Sequence, residues 1–299
     1  MAVVRYKVAH TTAYHYDEEV SSSYGQVHLL PRDLPGQRCE RSEVLINPRP
    51  DDYRERHDFF GNRVAYFEIR SPHKSLFVST TSWIDIVAGT RKASVDALAD
   101  AAVTWEAVRA LTPGDLEGRE FALDSPLVAT GPELAAYGRL SFIAGRPMRD
   151  ALADIAVRVH DDFVYHPGAT KVTTTASEVL AKGEGVCQDF AHLVIGCLRS
   201  LGLAARYVSG YLETDPPPGR PRLQGADVSH AWLSALAPGI GWIDVDPTNR
   251  QLVNDRYVAT AWGRDYSDVP PLKGVIFTEG KKHDLEVLVD VVREDTAET

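Results

Sequence analysis

The sequence lacks a long apolar run and an excess of basic residues. No apolar stretch approaches the roughly 20 residues that a membrane-spanning helix requires. The opening residues, MAVVRYKVAHTTAYHY, alternate in polarity and lack the continuous apolar region of a secretory signal. A net charge of -10 leaves no basic surface that could neutralise a phosphate backbone. We therefore expect a cytoplasmic protein whose partners include neither a membrane nor nucleic acid.

Cysteine is also scarce. The chain has three cysteines, Cys39, Cys187 and Cys197, which are too few and too odd in number for a disulfide framework. They show no paired CxxC spacing of the kind that binds structural zinc, and the sequence has no DxDxDG calcium motif. These absences predict free thiols, no metal and no cofactor.

The amino-terminal part is rich in strand-forming patterns. A length of 299 residues suggests about two domains. Val4, Tyr6 and Val8 alternate with charged residues, and residues 76–87 are rich in β-branched and aromatic types. Residues 1–90 are therefore predicted to form an antiparallel β-sandwich-like domain.

The period then changes to that of helices. Apolar residues recur at intervals of three and four from Val95 to Val108, and again from Met148 to Val159 behind Pro147. Each run predicts one amphipathic helix. Thr175 and Glu178 form a capping-box pattern for a shorter helix that ends near Gly183. Residues 91–145 are predicted to be a helical bridge or a lead into a core at 146–299.

Strand patterns return after Gly202. They cover residues 205–212, 229–236 and 241–245, with less regular runs near 271–278 and 284–293. All five are expected to belong to the same carboxy-terminal core. The predicted fold class is therefore α+β, with the β-rich domain followed by helices packed on an antiparallel sheet.

Cys187 occupies a position that favours reactivity. It lies just after Gly183 and Gly185, at the predicted first turn of an apolar helix. Backbone N–H groups at a helix start have no intrahelical partners and, with the helix dipole, favour a negative charge. Cys187 is thus a candidate thiolate, whereas Cys39 and Cys197 are interpreted as small apolar residues.

Two later segments, SHAWLSA and GWIDVDPTN, contain His230 and Asp246. If ALAPGIG closes a hairpin that places Leu236 opposite Trp242, then Thr248 pairs with His230 and Asp246 is the diagonal neighbour. Diagonal pairs on one face are about 7–8 Å apart, which an imidazole and a carboxylate can bridge. A nucleophilic thiol needs such a base and a group that orients it.

Alternatives remain open at this point. Asp244 shares the predicted face of the hairpin, and Asp227 is a weaker candidate for the orienting carboxylate. A zinc site of Cys187, His230 and Asp246 uses permitted ligands, although that set is uncommon in zinc enzymes. His192 lies about 140° around the helix from Cys187 and cannot easily share a metal with it.

The motifs together resemble the bacterial transglutaminase-like proteins of the cysteine-protease-like superfamily. GEGVCQDFAH, RSLGLAARYVSGYL, SHAW and GWIDVDPTN follow the order of that family, and DFFGN, SPHKSLFV and GRDYSDVPPLKGV are similar to its other segments. The resemblance implies a papain-like, transglutaminase-like core with a Cys-His-Asp triad. It assigns Cys187 as nucleophile, His230 as base and Asp246 as the orienting carboxylate.

The expected activity is thiol-dependent acyl transfer on a peptide or protein substrate. Hydrolysis and transfer to an amine both remain possible, with a slight preference for a peptidase or amidase. Tyr165, His166 and Gln188 are candidate substrate-binding side chains or oxyanion donors. A peptide-binding scaffold without turnover is the alternative from another class. The sequence does not predict the oligomeric state.

Overall fold

The structure, a computed structural model, describes residues 2–214 and 227–294. The described chain contains strands β1 Val3–Val27, β2 Gln37–Asn47, β3 Asp52–His57, β4 Arg63–Ile69, β5 His73–Val87, β6 Val164–Tyr165, β7 Glu184–Gly185, β8 Ala205–Leu212, β9 Ser229–Ala237, β10 Gly241–Asp246, β11 Gln251–Leu252, β12 Tyr257–Gly263, β13 Leu272–Thr278 and β14 His283–Glu294. Its α-helices are α1 Thr90–Asp100, α2 Trp105–Leu111, α3 Leu116–Phe121, α4 Pro132–Arg139, α5 Met148–Asp162, α6 Ala176–Lys182 and α7 Cys187–Ser200.

The amino-terminal sheet is built around one long strand. Its order is β2-β5-β1-β4-β3, and β13 and β14 also pair with β1. The first half of β1 lies between β5 and β14, and the second half between β4 and β13, all antiparallel. Tyr6 and Val8 are buried, as their alternation in the sequence predicts. The predicted strand-rich amino-terminal region is confirmed.

The last two strands differ from their predicted location. The sequence predicts that β13 and β14 belong to the core at 146–299, but both pair with β1 in the amino-terminal sheet. A period of two shows that a segment is a strand with one buried face, but it does not identify the neighbouring strand. The chain therefore returns to its first domain after it completes the core.

The core consists of a five-stranded sheet with α5 and α7 packed on one face. The strand order is β11-β10-β9-β8-β12. Ala231, Leu233 and Ala235 alternate along β9 and pack in one apolar cluster with residues of α7 and α5. Helix α7 is apolar on nearly all sides, and it is almost completely enclosed, as expected for such a helix. The α+β fold class is thus confirmed.

The helices leading to α7 follow the sequence patterns with one exception. The run from Val95 to Val108 forms two helices, α1 and α2, because Ala102 takes a positive φ of 47° and Thr104 caps a new helix. Helix α5 starts immediately after Pro147, one residue later than expected. The capping box at Thr175 is present as predicted. Among the described residues, no helix is both long and apolar enough to span a bilayer.

The two sheets pack against each other through a small apolar cluster. Tyr6, Ile84 and Val291 of the first sheet contact Tyr211 and Val258 of the core. The hydroxyl of Tyr211 is also 3.0 Å from Nδ1 of His10. The amino-terminal sheet therefore lies beside β8 and β12, at one edge of the core sheet.

Candidate active site

Cys187 is the first residue of α7, as the sequence predicts. The preceding strand β7 pairs in parallel with β6, which fixes the approach to the helix. The Val186 N–H donates to Oδ2 of Asp189 at 2.8 Å, and the Thr170 hydroxyl donates to the same oxygen at 2.6 Å. Asp189 thus anchors the start of the helix, and Cys187 is half-buried there.

The hairpin that carries His230 and Asp246 has the predicted register. Trp242 pairs with Leu236 across β9 and β10, and the pairing continues to Val245. His230 and Asp246 therefore project from the same face of the sheet. Nε2 of His230 lies 2.7 Å from Oδ2 of Asp246, which is a hydrogen-bond distance.

The imidazole of His230 interacts with both other candidate residues. Its burial disfavours the charged form, but hydrogen bonds to Asp246 and to Cys187 outweigh that effect and raise the pKa of His230 to about 10. Nε2 of His230 is the ring nitrogen that contacts Asp246. The structure therefore brings Cys187, His230 and Asp246 together, with the imidazole hydrogen-bonded to Asp246 and close enough to the thiol for Cys187 to raise its pKa.

Asp246 is completely buried and hydrogen-bonded on both oxygens. Besides His230, Oδ2 accepts from the Tyr257 hydroxyl at 2.6 Å and from Nδ2 of Asn249 at 2.7 Å. Oδ1 accepts from the backbone N–H groups of Thr248 at 2.9 Å and Asn249 at 3.2 Å. Burial raises the pKa of Asp246, but these hydrogen bonds outweigh burial and leave the pKa below its ordinary value.

Sequence reasoning missed three neighbours of this cluster. Tyr257 and Asn249 donate to Asp246, and the ring of Trp232 lies 6.1 Å from that of His230 at an interplanar angle of 28°. Trp232 and Asn249 lie within SHAWLSA and GWIDVDPTN, the motifs that contain His230 and Asp246, so their closeness in sequence could have identified them. Tyr257 has no such signal because its strand comes from outside the hairpin.

The two alternative carboxylates have other partners. Asp244 accepts a short hydrogen bond from the Ser234 hydroxyl. Asp227 accepts from the Val291 N–H of β14 at 2.8 Å. Among the described hydrogen bonds, the one between a carboxylate and His230 is that of Asp246, and its role as the orienting group stays a prediction.

The predicted substrate-binding residues occupy three different environments. Tyr165 is about half exposed, and burial together with the nearby Cys187 and Asp189 raises its pKa. His166 is exposed, with Nδ1 2.8 Å from Oε2 of Glu184. Gln188 donates to a backbone carbonyl at 3.2 Å. Of the three, Tyr165 is the one whose pKa responds to Cys187, and the role of each stays a prediction.

The distance between His230 and Asp246 fits a proton-transfer chain better than a zinc site. Two ligands of a tetrahedral zinc ion are separated by about 3.3 Å. The 2.7 Å between His230 and Asp246 is shorter and fits a direct hydrogen bond. His192 is directed elsewhere, since its Nε2 accepts the Tyr266 N–H at 3.1 Å, and burial lowers its pKa to about 4.

Comparison with known proteins gives matches over both regions. Residues 6–85 match the family described as bacterial transglutaminase-like N-terminal region, and residues 143–247 match the transglutaminase-like superfamily. An uncharacterized protein of Mycobacterium tuberculosis is 43% identical over 293 residues, covering 96% of this chain and 92% of that protein. The match to the transglutaminase-like superfamily includes Cys187, His230 and Asp246.

Two further matches are more distant. The crystal structure of a proposed cysteine protease from Cytophaga hutchinsonii aligns with a TM-score of 0.75 at 19% identity, covering 100% of this chain and 93% of that one. A protein-glutamine gamma-glutamyltransferase of Pseudomonas aeruginosa is 33% identical over 92 residues, 30% of this chain and 14% of that protein. The first of these shows a shared fold. The match of residues 143–247 to the transglutaminase-like superfamily supports a thiol-dependent enzyme in general.

Proposed function

Because this chain belongs to the transglutaminase-like superfamily, we propose that it transfers acyl groups from peptide or amide bonds through a covalent thioester at Cys187. The observation that carries the proposal is the position of His230, which is hydrogen-bonded to Asp246 and lies close enough to Cys187 for the thiol to raise its pKa. This is the arrangement that activates a thiol and orients its base.

In the proposed reaction, the thiolate of Cys187 attacks the carbonyl carbon of the substrate. The first backbone N–H groups of α7 have no intrahelical acceptors, so they are suited to donate to the oxyanion that forms. Protonated His230 gives its proton to the departing amine as the C–N bond breaks. A water molecule or a second amine then attacks the thioester, passes its proton to His230 and releases Cys187.

We propose water as the principal acceptor, which makes the protein a peptidase or amidase acting in the cytoplasm. Cys187 is half-buried, so the thioester remains accessible to solvent. Transfer to an amine would need a second substrate to be retained beside the thioester, and the acceptor is determined by the walls of the cleft more than by the triad.

A screen of peptide amides with and without a primary amine tests this function. The wild-type protein should release ammonia or a peptide fragment from some members, and incorporation of the amine would identify transfer instead of hydrolysis. Cys187→Ala should remove the activity. Cys39→Ala is the matched control, because Cys39 is a free, half-buried thiol on the amino-terminal sheet. Full activity of Cys187→Ala would refute the proposed nucleophile.

Thiol labelling separates an enzyme from a scaffold that merely keeps the fold. At neutral pH, iodoacetamide should modify Cys187 faster than Cys39, and His230→Ala should slow the reaction of Cys187 alone. Equal labelling rates for the two thiols, unaffected by His230→Ala, would favour the scaffold.

A further inference from the structure

Arg206 is a buried cation with few partners of its own. It lies on β8 and is 5% exposed. The guanidinium carbon stands 4.0 Å from the ring of Trp242 and 3.6 Å from that of Trp262. Within residues 2–214 and 227–294 no hydrogen bond from the Arg206 side chain is found, and the Glu117 carboxylate, 3.6 Å away, is half exposed. A buried charge without hydrogen bonds is costly, so its retention needs a cause.

Arg206 lines a cavity of about 380 Å³ beside β10. A second arginine, the largely buried Arg91 of α1, lines the same cavity. Its Nη1 donates to the carbonyl groups of Asn254 at 2.7 Å and Tyr257 at 2.6 Å. Three N–H donors of the lining residues are buried without partners in the described structure, namely Nε of Arg206, Nη2 of Arg91 and Nε1 of Trp242.

The lining contains two guanidinium groups and two carboxylates, but the buried atoms without partners among the described residues are all N–H donors, which suit an anionic acceptor. Asp244 lines the cavity but is already engaged by Ser234, and its Oδ2 is 3.8 Å from Nε of Arg91. Glu117 can move away because its side chain is half exposed. Burial lowers the pKa of Arg206 to about 9, which still leaves the guanidinium charged at neutral pH. Its planar group can donate two parallel bonds to an oxyanion.

We propose that this cavity binds a small organic anion whose carboxylate or phosphate group pairs with Arg206 and Arg91. The indole rings and the apolar side chain of Ile240 supply contacts for the rest of the molecule. A volume of about 380 Å³ lies within the range of small-ligand sites. The proposal is independent of the reaction at Cys187, because it concerns a separate set of side chains.

Intrinsic tryptophan fluorescence tests the site, since Trp242 and Trp262 line it. The full chain should be titrated with sodium phosphate and with sodium benzoate, using sodium chloride at equal ionic strength as reference. We expect one oxyanion to give a saturable change and to raise the melting temperature, while chloride does neither. The oxyanion that saturates at the lower concentration identifies the preferred group.

Arg206→Met should remove the saturable response because the apolar stem remains but the charge is lost. Arg41→Met is the matched control, since Arg41 stacks at 3.9 Å on Trp83 in the other sheet. Ser94→Glu places a carboxylate at the cavity wall without disturbing Arg206, and it should weaken binding by about 10-fold or more. It therefore serves if Arg206→Met does not fold. The proposal is overturned if neither oxyanion exceeds chloride, or if the variants bind as the wild type does.

Discussion

Asp246 and Arg206 are two buried charges on the same face of the core sheet, and the chain treats them differently. Asp246 accepts hydrogen bonds from His230, Tyr257, Asn249 and the backbone. Arg206 stacks between two indole rings but receives no hydrogen-bonding partner from the described residues. The satisfied charge suits a group that must hold its position and stay ionised through a reaction. The unsatisfied charge suits a site whose partner comes from outside the chain.

Asp246→Asn should cause the largest loss of activity. The substitution keeps the size of the side chain but removes the charge that holds His230 protonated and oriented, so the rate should fall by about 10⁴-fold. The measurement is kcat/KM on an amide substrate found by the screen, together with circular dichroism to confirm folding.

Asp244→Asn is the matched control for that variant. Asp244 lies two residues earlier on the same strand and face, but its hydrogen-bond partner is the hydroxyl of Ser234 and not the imidazole of His230. Its activity should stay within a few-fold of the wild type. Equal losses in both variants would mean that the carboxylates act through the fold and not through His230.

The comparison of satisfied and unsatisfied buried charges can also be tested by the stabilities of two arginine variants. Arg199 is 3% exposed, and its guanidinium donates to the carbonyl groups of Phe121, Ala205 and Arg264. Arg199→Met should therefore cost about 3–5 kcal/mol, because it leaves buried carbonyl groups unpaired. In a buffer without oxyanions, Arg206→Met should be neutral or stabilising by up to about 4 kcal/mol.

Urea unfolding of both variants against the wild type measures this difference. A loss for Arg206→Met as large as that for Arg199→Met would show that the stacked guanidinium is a structural element. In that case the contrast with Asp246 would not hold.

The raised pKa of His230 predicts a pH dependence. Asp246 and Cys187 face the imidazole and outweigh its burial, giving a pKa of about 10 against an unfolded value near 6.5. The stability gained from the charged imidazole is therefore complete below about pH 6.5 and is lost as the pH rises through about 10. The loss proceeds at no more than about 1.4 kcal/mol per pH unit.

Unfolding of the wild type and of His230→Asn between pH 6 and 10.5 checks this prediction. The stability advantage of the wild type should shrink over that range, and kcat should fall toward its upper end as the proton donor is lost. A stability difference that does not change with pH would contradict the assigned pKa.

The sequence predicted the parts of the site that depend on local pattern. Two glycines placed Cys187 at a helix start, and the seven residues ALAPGIG fixed the pairing of Leu236 with Trp242. That register alone placed His230 and Asp246 on one face. Such features follow from turns and periods within about twenty residues of chain.

The parts that were missed depend on contacts between distant segments. Strand β14 pairs with β1 across more than 250 residues, and its period of two does not name a partner. Arg206 stands in a strand pattern, ARYVSGYL, that gives no sign of the two indole rings around it. Side chains brought together by tertiary packing leave no spacing signal in the sequence.

Tyr257→Phe should give the smallest effect, and it tests whether the tyrosine positions Asp246 or only fills space. The amide Nε2 of Gln251 donates to the hydroxyl oxygen of Tyr257 at 2.8 Å, which leaves the hydroxyl proton free to donate to Asp246. Loss of that donor should cost about 1 kcal/mol of stability and reduce kcat about 10-fold with little change in KM. The upper pH limit of activity should also shift to a lower pH, because a less firmly ionised Asp246 holds the proton of His230 less tightly.

Tyr211→Phe removes the same atom at another buried site, where the hydroxyl meets His10 at the junction of the two sheets. A similar cost in stability is expected there, with unchanged kcat and an unchanged pH profile. If the two variants lose activity equally, the hydroxyl of Tyr257 serves the fold alone. If only Tyr257→Phe shifts the profile, the hydrogen bonds that satisfy Asp246 also determine the protonation of His230, which ties the complete satisfaction of that buried charge to the proposed chemistry.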